Sequence, residues 1–186
     1  MAVDSTRQLK QDHVTVRRIR DIAQKCSDKL YAGQDIPLED IKIVAVVMEE
    51  FIDAFHHGKE EKAYFPETAD KDEYFSEEIR KFLIEHEFGR RVANMMKRNL
   101  LEWQTGIDAR EPVARFLKTY AIFITDHTDK EDKFFDMLEE MKSLTAEEDR
   151  ELLRHFETCG KDIGGSARIE ELLRLIEYLE ERNWMR

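Results

Sequence analysis

The sequence contains little of what interrupts a helix. Its 186 residues include only 3 prolines and 7 glycines, whereas 38% of the residues are charged. Proline and glycine are the residues that most disfavour the interior of a helix. Their scarcity, together with the abundance of charge, predicts an all-α protein.

Other absences exclude whole classes of protein. No apolar run approaches the roughly 20 residues that span a bilayer, and the polar N-terminus lacks the apolar core of a signal peptide. The net charge of −11 argues against a nucleic-acid-binding surface, which needs clustered Lys and Arg. The two cysteines, Cys26 and Cys159, match no zinc or redox spacing. We therefore expect a cytoplasmic protein with unpaired thiols and no nucleic-acid or membrane partner.

The few helix-breaking residues divide the chain into segments. Gly33 and Gly106 mark helix ends, and Pro66 disfavours helical geometry in the residue before it. Four long helices are predicted over residues 5–31, 37–65, 76–104 and 112–141. Two shorter ones follow, the first opened by a capping box of Thr145 and Glu148 and the second starting at Ser166. Short polar loops favour antiparallel neighbours. The expected fold is an antiparallel up-down four-helix bundle over residues 1–144, with residues 145–186 packed on it as a C-terminal helical extension.

The fourth predicted helix carries a stripe of aromatic residues that is interrupted by His127 and Glu131. A buried carboxylate without a partner is costly, so something must compensate it. The second helix repeats the pattern, since HHGKEEKAYF aligns with HTDKEDKFF when His57 is matched to His127 and Glu61 to Glu131. Four residues make about one helical turn, so each His and Glu project from one face and can converge on a metal ion.

The adjacent His56 and Glu60 have the same spacing as His57 and Glu61. If His56 were matched to the fourth helix instead, the two aromatic residues that follow each motif would no longer coincide. We therefore prefer His57 and Glu61 as ligands. His56 is then expected at a helix interface or on the surface.

The first and third helices contribute His13 and His86. Around the first loop, His13 and His57 lie roughly 21 and 22 residues from the loop centre, and the pairs around the next two loops differ by about one residue as well. At a rise of 1.5 Å per residue, each mismatch is about 1.5 Å, so an antiparallel bundle places the four histidines in one layer. Four imidazoles and two carboxylates without a thiolate favour two bridged ions of iron or manganese over structural zinc.

These segments resemble the hemerythrin-like family, also called the HHE cation-binding domain, in its bacterial form. The resemblance rests on His13 and on the motifs HHGKEE, EHEFGR and HTDKE, and it covers about residues 5–141. It implies two iron ions in an oxo- or hydroxo-bridged centre, with Glu61 and Glu131 as bridging carboxylates. The terminal ligands would be the four histidines, His13, His57, His86 and His127.

One residue departs from the oxygen carriers of that family. They have a second histidine one turn after the first on the third helix, where this chain has Arg90. The one-turn spacing of the His and Glu on the fourth helix resembles instead the iron-sensing and nitrosative-stress branches. More open coordination follows, which solvent or a neighbouring carboxylate can fill. The side chains expected beside the centre, as outer partners or additional ligands, are Glu85, Glu87, Arg90, Tyr64 and Tyr120.

The resemblance implies a non-haem di-iron protein that binds dioxygen or a related small ligand for sensing, storage or delivery. Such a protein is a binding protein more than an enzyme. Two alternatives stay open: turnover of peroxide or nitric oxide at the same centre, and iron storage or iron-status sensing through a protein partner.

Overall fold

The structure is a computed structural model that describes residues 4–186. The described chain is helical and contains no strand. Four long helices are followed by two shorter ones and a short 3₁₀ turn. They are α1 (Asp4–Tyr31), α2 (38–69), α3 (Glu73–Gln104), α4 (Arg110–Glu140), α5 (Ala146–Asp162), α6 (Gly165–Glu180) and the turn Asn183–Met185. The expected all-α class is confirmed, whereas the up-down order of the bundle stays a prediction.

Several helix ends lie where the sequence predicts them. Gly33 and Gly106 follow α1 and α3 with φ angles of 74° and 94°, which side chains with a Cβ rarely adopt. At the start of α5, the Thr145 hydroxyl accepts the N–H of Glu148, and the Glu148 carboxylate accepts the N–H of Thr145. This reciprocal capping box satisfies two donors that the helix itself leaves unpaired.

The second helix is longer than predicted and is not a regular α-helix. Two π-helical segments lie between α-helical ends, in the order Leu38–Val47 (α), Met48–His57 (π), Glu60–Tyr64 (π) and Phe65–Ala69 (α). Pro66 does not end the helix. The N–H of Phe65 bonds to the carbonyl of Glu60, five residues back. The backbone hydrogen bonds therefore return to four-residue spacing at Pro66, which has no N–H and so leaves no donor unpaired.

The third helix begins earlier than the predicted Ser76. The Asp72 carboxylate accepts the N–H of Tyr74 and so caps a helix that starts at Glu73. The boundary shifts because an aspartate provides the cap ahead of the serine.

Buried apolar residues form two clusters. The larger one joins the long helices to α6, and the smaller one is rich in aromatic residues from α2, α3 and α4. Members of the smaller cluster stack on buried imidazoles, with ring centroids 5.7 Å apart for Phe135 and His13 and 6.0 Å apart for Phe65 and His86. The aromatic core therefore encloses the histidines.

Helices α5 and α6 pack on α1 and α2. Arg168 of α6 donates two hydrogen bonds of 2.7 Å to the Glu50 carboxylate of α2. The buried Asp40 carboxylate accepts the indole N–H of Trp184 at 2.8 Å and a guanidinium N–H of Arg182 at 2.8 Å. The domain boundary at residue 144 stays a prediction.

The structure also describes the two cysteines and the apolar character of the helices. Cys26 and Cys159 are both buried and unpaired. Among residues 4–186, none of the helices combines the length and the apolar character that crossing a membrane requires.

Candidate metal centre

Metal-ligating side chains meet in the interior in two groups. The four-residue group consists of His13, His56, Glu60 and Glu131, and the three-histidine group consists of His57, His86 and His127. All of these residues are buried, and within each group the ligand atoms lie within 4.8 Å of one another. The two groups draw their members from all four long helices.

The π-helical turns of α2 explain why it supplies two adjacent histidines. His56 and His57 end the segment Met48–His57. A π-helix holds more residues per turn than an α-helix, so neighbouring side chains diverge less around the helix axis. Both imidazoles therefore face the interior, and each joins a different group.

The carboxylate of Glu131 contacts both groups. Its Oε2 lies 3.3 Å from Nε2 of His13 and 3.3 Å from Nε2 of His127. Its Oε1 lies 3.4 Å from Nε2 of His86. One carboxylate on α4 thus connects the four-residue group with the three-histidine group.

Glu60 makes a second connection of the same kind from α2. Its Oε1 lies 3.4 Å from Nε2 of His56, and its Oε2 lies 3.5 Å from Nε2 of His86. Like Glu131, Glu60 is fully buried. Two carboxylates therefore lie between the groups, in the position that bridging ligands require.

Many of these buried atoms have no hydrogen-bond partner in the described chain. They include both carboxylate oxygens of Glu60 and of Glu131, Nε2 of His13 and both ring nitrogens of His56. Each such atom costs about 1–3 kcal/mol when it is left unpaired, so native proteins rarely tolerate them. Contacts of 3.3 to 3.5 Å without hydrogen-bond geometry match the separation of neighbouring ligands that each lie about 2.1 Å from a cation. The donor set therefore fits bound cations.

Each of the five histidines has a carboxylate at Nδ1. Three are hydrogen-bonded: His13 to Asp132 at 2.7 Å, His86 to Glu61 at 2.7 Å and His127 to Glu85 at 2.8 Å. Two have the carboxylate at 3.5 Å: His56 beside Asp12 and His57 beside Asp53. An ionised carboxylate only accepts hydrogen bonds, so in His13, His86 and His127 the Nδ1 atom carries a proton and Nε2 is the atom left for a cation.

The contact between His86 and His127 requires a positive centre. Their Nε2 atoms are 3.0 Å apart. Since both Nδ1 atoms donate outward to carboxylates, two neutral rings would place two lone pairs against each other. Either a proton or a metal cation must therefore lie between these rings.

In the absence of a cation, the buried groups hold protons unevenly. Burial alone would lower the pKa of His13, but the carboxylates beside it raise that pKa to about 9. Burial lowers the pKa of His56 to about 4. Burial, with Glu131 nearby, holds the pKa of Glu60 well above its usual range, whereas the neighbouring imidazoles outweigh burial and hold that of Glu131 well below it. Cation binding must displace the protons that remain on ligand atoms.

Glu61, which the sequence analysis preferred over Glu60, lies outside both groups. Its side chain is 26% exposed and accepts hydrogen bonds from Nδ1 of His86 and from Arg90. The preference assumed α-helical spacing through α2, and the π-helical turns change that spacing. For the same reason His56, expected at an interface or on the surface, lies among the buried ligand atoms.

Arg90 stands behind the three-histidine group and not in it. Its Nε donates to Asp53 at 2.7 Å, and its Nη2 donates to Glu61. These carboxylates are the ones beside Nδ1 of His57 and of His86. Arg90 therefore holds the outer partners of two candidate ligands.

The other expected neighbours of the centre divide into two kinds. Glu85 accepts from Nδ1 of His127. Glu87 lies on the surface, where it accepts a hydrogen bond from Arg91. The Tyr64 hydroxyl is 2.7 Å from the hydroxyl of Thr6, so it points away from both groups.

A cavity of about 160 Å³ opens beside His57, and Arg90 and Tyr120 line it. Tyr120 is only 3% exposed, and its hydroxyl has no hydrogen-bond partner among the described residues. Gly89 also lines the cavity, and a Cβ there would lie 2.6 Å from the Phe123 ring. Glycine at this position therefore permits the close approach of α3 and α4 beside the cavity.

Sequence reasoning missed several residues of the centre. Asp12 lies beside His56 only after α1 and α2 have packed together, so the sequence gives no signal for it. Asp53 lies four residues before His57 on the same helix, and this spacing was a visible signal. The doublets His56–His57 and Glu60–Glu61 were visible signals. Choosing one member of each doublet discarded half of that information.

Comparison with known proteins adds one match. No curated protein and no solved structure is similar enough to the chain to count as a relative. Residues 4–138 match the description "Hemerythrin HHE cation binding domain", a segment that contains every member of both groups. This chain therefore belongs to the hemerythrin HHE cation-binding domain family.

Proposed function

We propose that the protein holds two iron ions and uses them to bind dioxygen or a related small ligand, for sensing, storage or delivery. The observation that carries this proposal is the contact of both Glu60 and Glu131 with histidines of both groups. Under this proposal the four long helices run up and down as antiparallel neighbours and bring their ligands to one layer. His13 and His56 hold one ion, the three-histidine group holds the other, and the two glutamates bridge them.

The donor chemistry supports iron over zinc. Five imidazoles and two carboxylates without a thiolate suit a pair of borderline-hard ions, and carboxylates between two sites are typical bridges in helical bundles. Bound iron would supply a reversible change of oxidation state and an open coordination position. The chain itself fixes the tautomers: Asp132, Glu61 and Glu85 hold the Nδ1–H groups, so that Nε2 is free to bind.

The surroundings suit a ligand that must be kept from bulk water. The rings of Phe123 and Phe65 stack on His127 and His86, with centroids 5.1 Å and 6.0 Å apart. The cavity beside His57 provides space for a small molecule. The unpartnered Tyr120 hydroxyl at that cavity can donate to a bound oxygen atom.

Iron-status sensing is a second candidate, and the unpaired buried atoms favour it. Cation binding would pair the oxygens of Glu60 and Glu131 and so add directly to the free energy of unfolding. A chain that loses much of its stability without iron can report iron status to a protein partner. Chelation that leaves the melting temperature unchanged would remove this candidate.

Metal analysis of the full chain, reconstituted anaerobically with iron(II), tests the proposal. We expect about two irons per chain and new near-ultraviolet and visible absorption on exposure to air. His86→Ala removes one member of the three-histidine group, so it should bind about one iron instead of two and lose most of the new absorption. His155→Ala is the matched control, since His155 is an exposed histidine on α5 outside both groups. Iron content that is equal in the two variants would contradict the proposal, and steady-state consumption of peroxide or nitric oxide would move the function from binding to turnover.

A further inference from the structure

A cleft of about 550 Å³ lies where the C-terminal extension meets the long helices. None of the residues that line it belongs to either metal group. Its walls come from α1, α2, α5 and α6. Its lining includes Phe55, Lys59, Phe156, Gly160, Ser166 and Ile169. The family match ends at residue 138, so α5 and α6 provide a wall from beyond the matched segment.

Lys59 carries a buried positive charge at this cleft. Its side chain is 1% exposed, and its Nζ donates to Asp12 at 2.7 Å. The same Nζ lies 3.8 Å from the centre of the Phe55 ring and 5.5 Å from that of Phe156. An ammonium group has three N–H donors, and Asp12 is the one acceptor that the described chain provides. Donors of Lys59 therefore remain available between two aromatic walls.

The opposite wall adds further positive potential. Helix α6 begins at Gly165 without a side-chain cap, and Gly165 and Ser166 line the cleft. The first N–H groups of a helix are unpaired within it and carry partial positive charge. Lys161 also lines the cleft, and of the described lining residues Glu157 alone is acidic. Beside the ion pair of Lys59 with Asp12, the cleft thus presents Lys161 and a helix N-terminus against the single carboxylate of Glu157.

The space between these charges is apolar. Phe55, Phe156 and Ile169 form its walls, and Phe156 is 2% exposed. A Cβ on Gly160 would lie 3.5 Å from Ile169 and 3.7 Å from Phe55, which are ordinary contacts. A Cβ therefore fits at Gly160 between Ile169 and Phe55, whereas a longer side chain there would extend into the cleft.

We propose that this cleft binds a small amphipathic anion, an organic acid with an apolar or aromatic body. The acid group accepts hydrogen bonds from Lys59 and from the first turn of α6, and the body lies between Phe55 and Phe156. Convergent polar donors in a mostly apolar pocket are the usual features of a small-molecule site. None of the metal-group residues lines the cleft, although Lys59 shares the Asp12 carboxylate with His56.

Fluorescence titration of the full chain with 1-anilinonaphthalene-8-sulfonate, an aromatic anion, tests the proposal. Gly160→Met extends a side chain into the cleft and should weaken binding of the probe by about tenfold or more. Thr158→Met is the matched control, because Thr158 is exposed on α5 and does not line the cleft; it should change binding less than about twofold. Equal affinity in the two variants would place the probe elsewhere and overturn the proposal. A variant that failed to fold would raise the fluorescence instead of lowering it.

Competition identifies the role of the charge. Decanoate should displace the probe, and decanol should do so about tenfold more weakly. Lys161→Gln should weaken decanoate binding by about threefold, whereas Lys62→Gln, which removes an exposed lysine that pairs with Asp162, should leave it unchanged. Equal displacement by decanoate and decanol would overturn the proposed recognition of an anion.

Discussion

Helices α2 and α4 both bring a histidine and a glutamate to the same interior, but by different helix geometries. In α4 the pair His127 and Glu131 lies one regular turn apart. In α2 the wide turns bring His56, His57 and Glu60 inward together. A single helix can therefore supply a ligand atom to each of two groups, provided that its turns are wide enough to aim neighbouring residues the same way.

The same difference in helix geometry bears on Arg90, the residue at which this chain departs from the oxygen carriers. A second histidine on α3 is replaced by Arg90, yet the three-histidine group is complete because His57 comes from α2. Arg90 then takes a supporting role, as the donor that holds Asp53 and Glu61. The two groups contain one imidazole more than the sequence analysis assigned, because both His56 and His57 belong to them.

The wide turns of α2 have support that α4 does not need. The carbonyl of Gly58, between the two π-helical segments, accepts a long hydrogen bond of 3.6 Å from the Cys159 thiol of α5. Arg168 of α6 holds Glu50 within the first π-helical segment. The extension therefore packs against the part of the long helices whose backbone geometry is least regular.

The largest expected effect separates the two glutamates of α2. Glu60→Gln removes a carboxylate that contacts both groups, so cation affinity should fall by more than about 100-fold. Glu61→Gln removes an outer partner of His86 and should cost about 10- to 100-fold. Competition against a chelator of known affinity measures both. Equal losses, or a larger loss with Glu61→Gln, would return Glu61 to the position that the sequence alignment gave it.

Substitution of either of the adjacent histidines should remove one cation. His56→Ala takes a ligand from the four-residue group, and His57→Ala takes one from the three-histidine group. We expect each single variant to bind about one cation and the double variant to bind none tightly, because the groups share only the glutamates. Metal content per folded chain is the measurement. If either single variant kept two cations, the corresponding imidazole would be no ligand.

The two histidines of the four-residue group should respond to pH in opposite directions in the metal-free protein. The folded pKa of His13 is raised from 6.5 to about 9, so its stabilisation is complete below pH 6.5 and is lost as the pH rises through about 9. The folded pKa of His56 is lowered to about 4, so stability falls as the pH drops from 6.5 towards 4.

Urea unfolding of the chelated protein between pH 5 and 10 measures this difference. His13→Gln should abolish an alkaline loss of about 3 kcal/mol, because one pKa unit corresponds to about 1.4 kcal/mol. An alkaline limb that persists in His13→Gln would assign the loss to another group.

The smallest expected effect concerns the arginine behind the centre. Arg90→Gln removes the guanidinium that holds Asp53 and Glu61, and we expect cation affinity to fall by about three- to tenfold. The neighbouring Arg91 pairs with Glu87 on the surface, so Arg91→Gln serves as the control and should change nothing. An effect of the same size in both variants would show that only overall charge matters.

Much of this arrangement could be predicted from the sequence, because it depends on regular helices. Loop counts at 1.5 Å per residue predicted one layer for His13, His57, His86 and His127, and all four belong to the two groups. The stripe on α4 identified Glu131. The capping box at Thr145 could be predicted as well, because it depends on neighbouring residues only. Such features need only the period of an α-helix and the chemistry of one helix end.

The choice between neighbours in α2 could not be made in this way. No residue type signals a π-helical turn, so the preference for Glu61 over Glu60 carried an α-helical period into a segment that does not have one. Asp12 was out of reach for another reason, because it meets His56 only after α1 and α2 have packed together. Asp53 was within reach, since it lies four residues before His57 on one helix.

The wide turns of α2 also make the centre sensitive to chain length. Removing one residue from Met48–His57 would let the segment return to α-helical spacing, in which neighbouring side chains diverge by about 100° around the axis. His56 and His57 could then no longer both face the interior, although no ligand had been substituted. Insertions and deletions in this stretch are therefore a separate route by which a chain of this kind can lose its centre, while every histidine and glutamate in its sequence is retained.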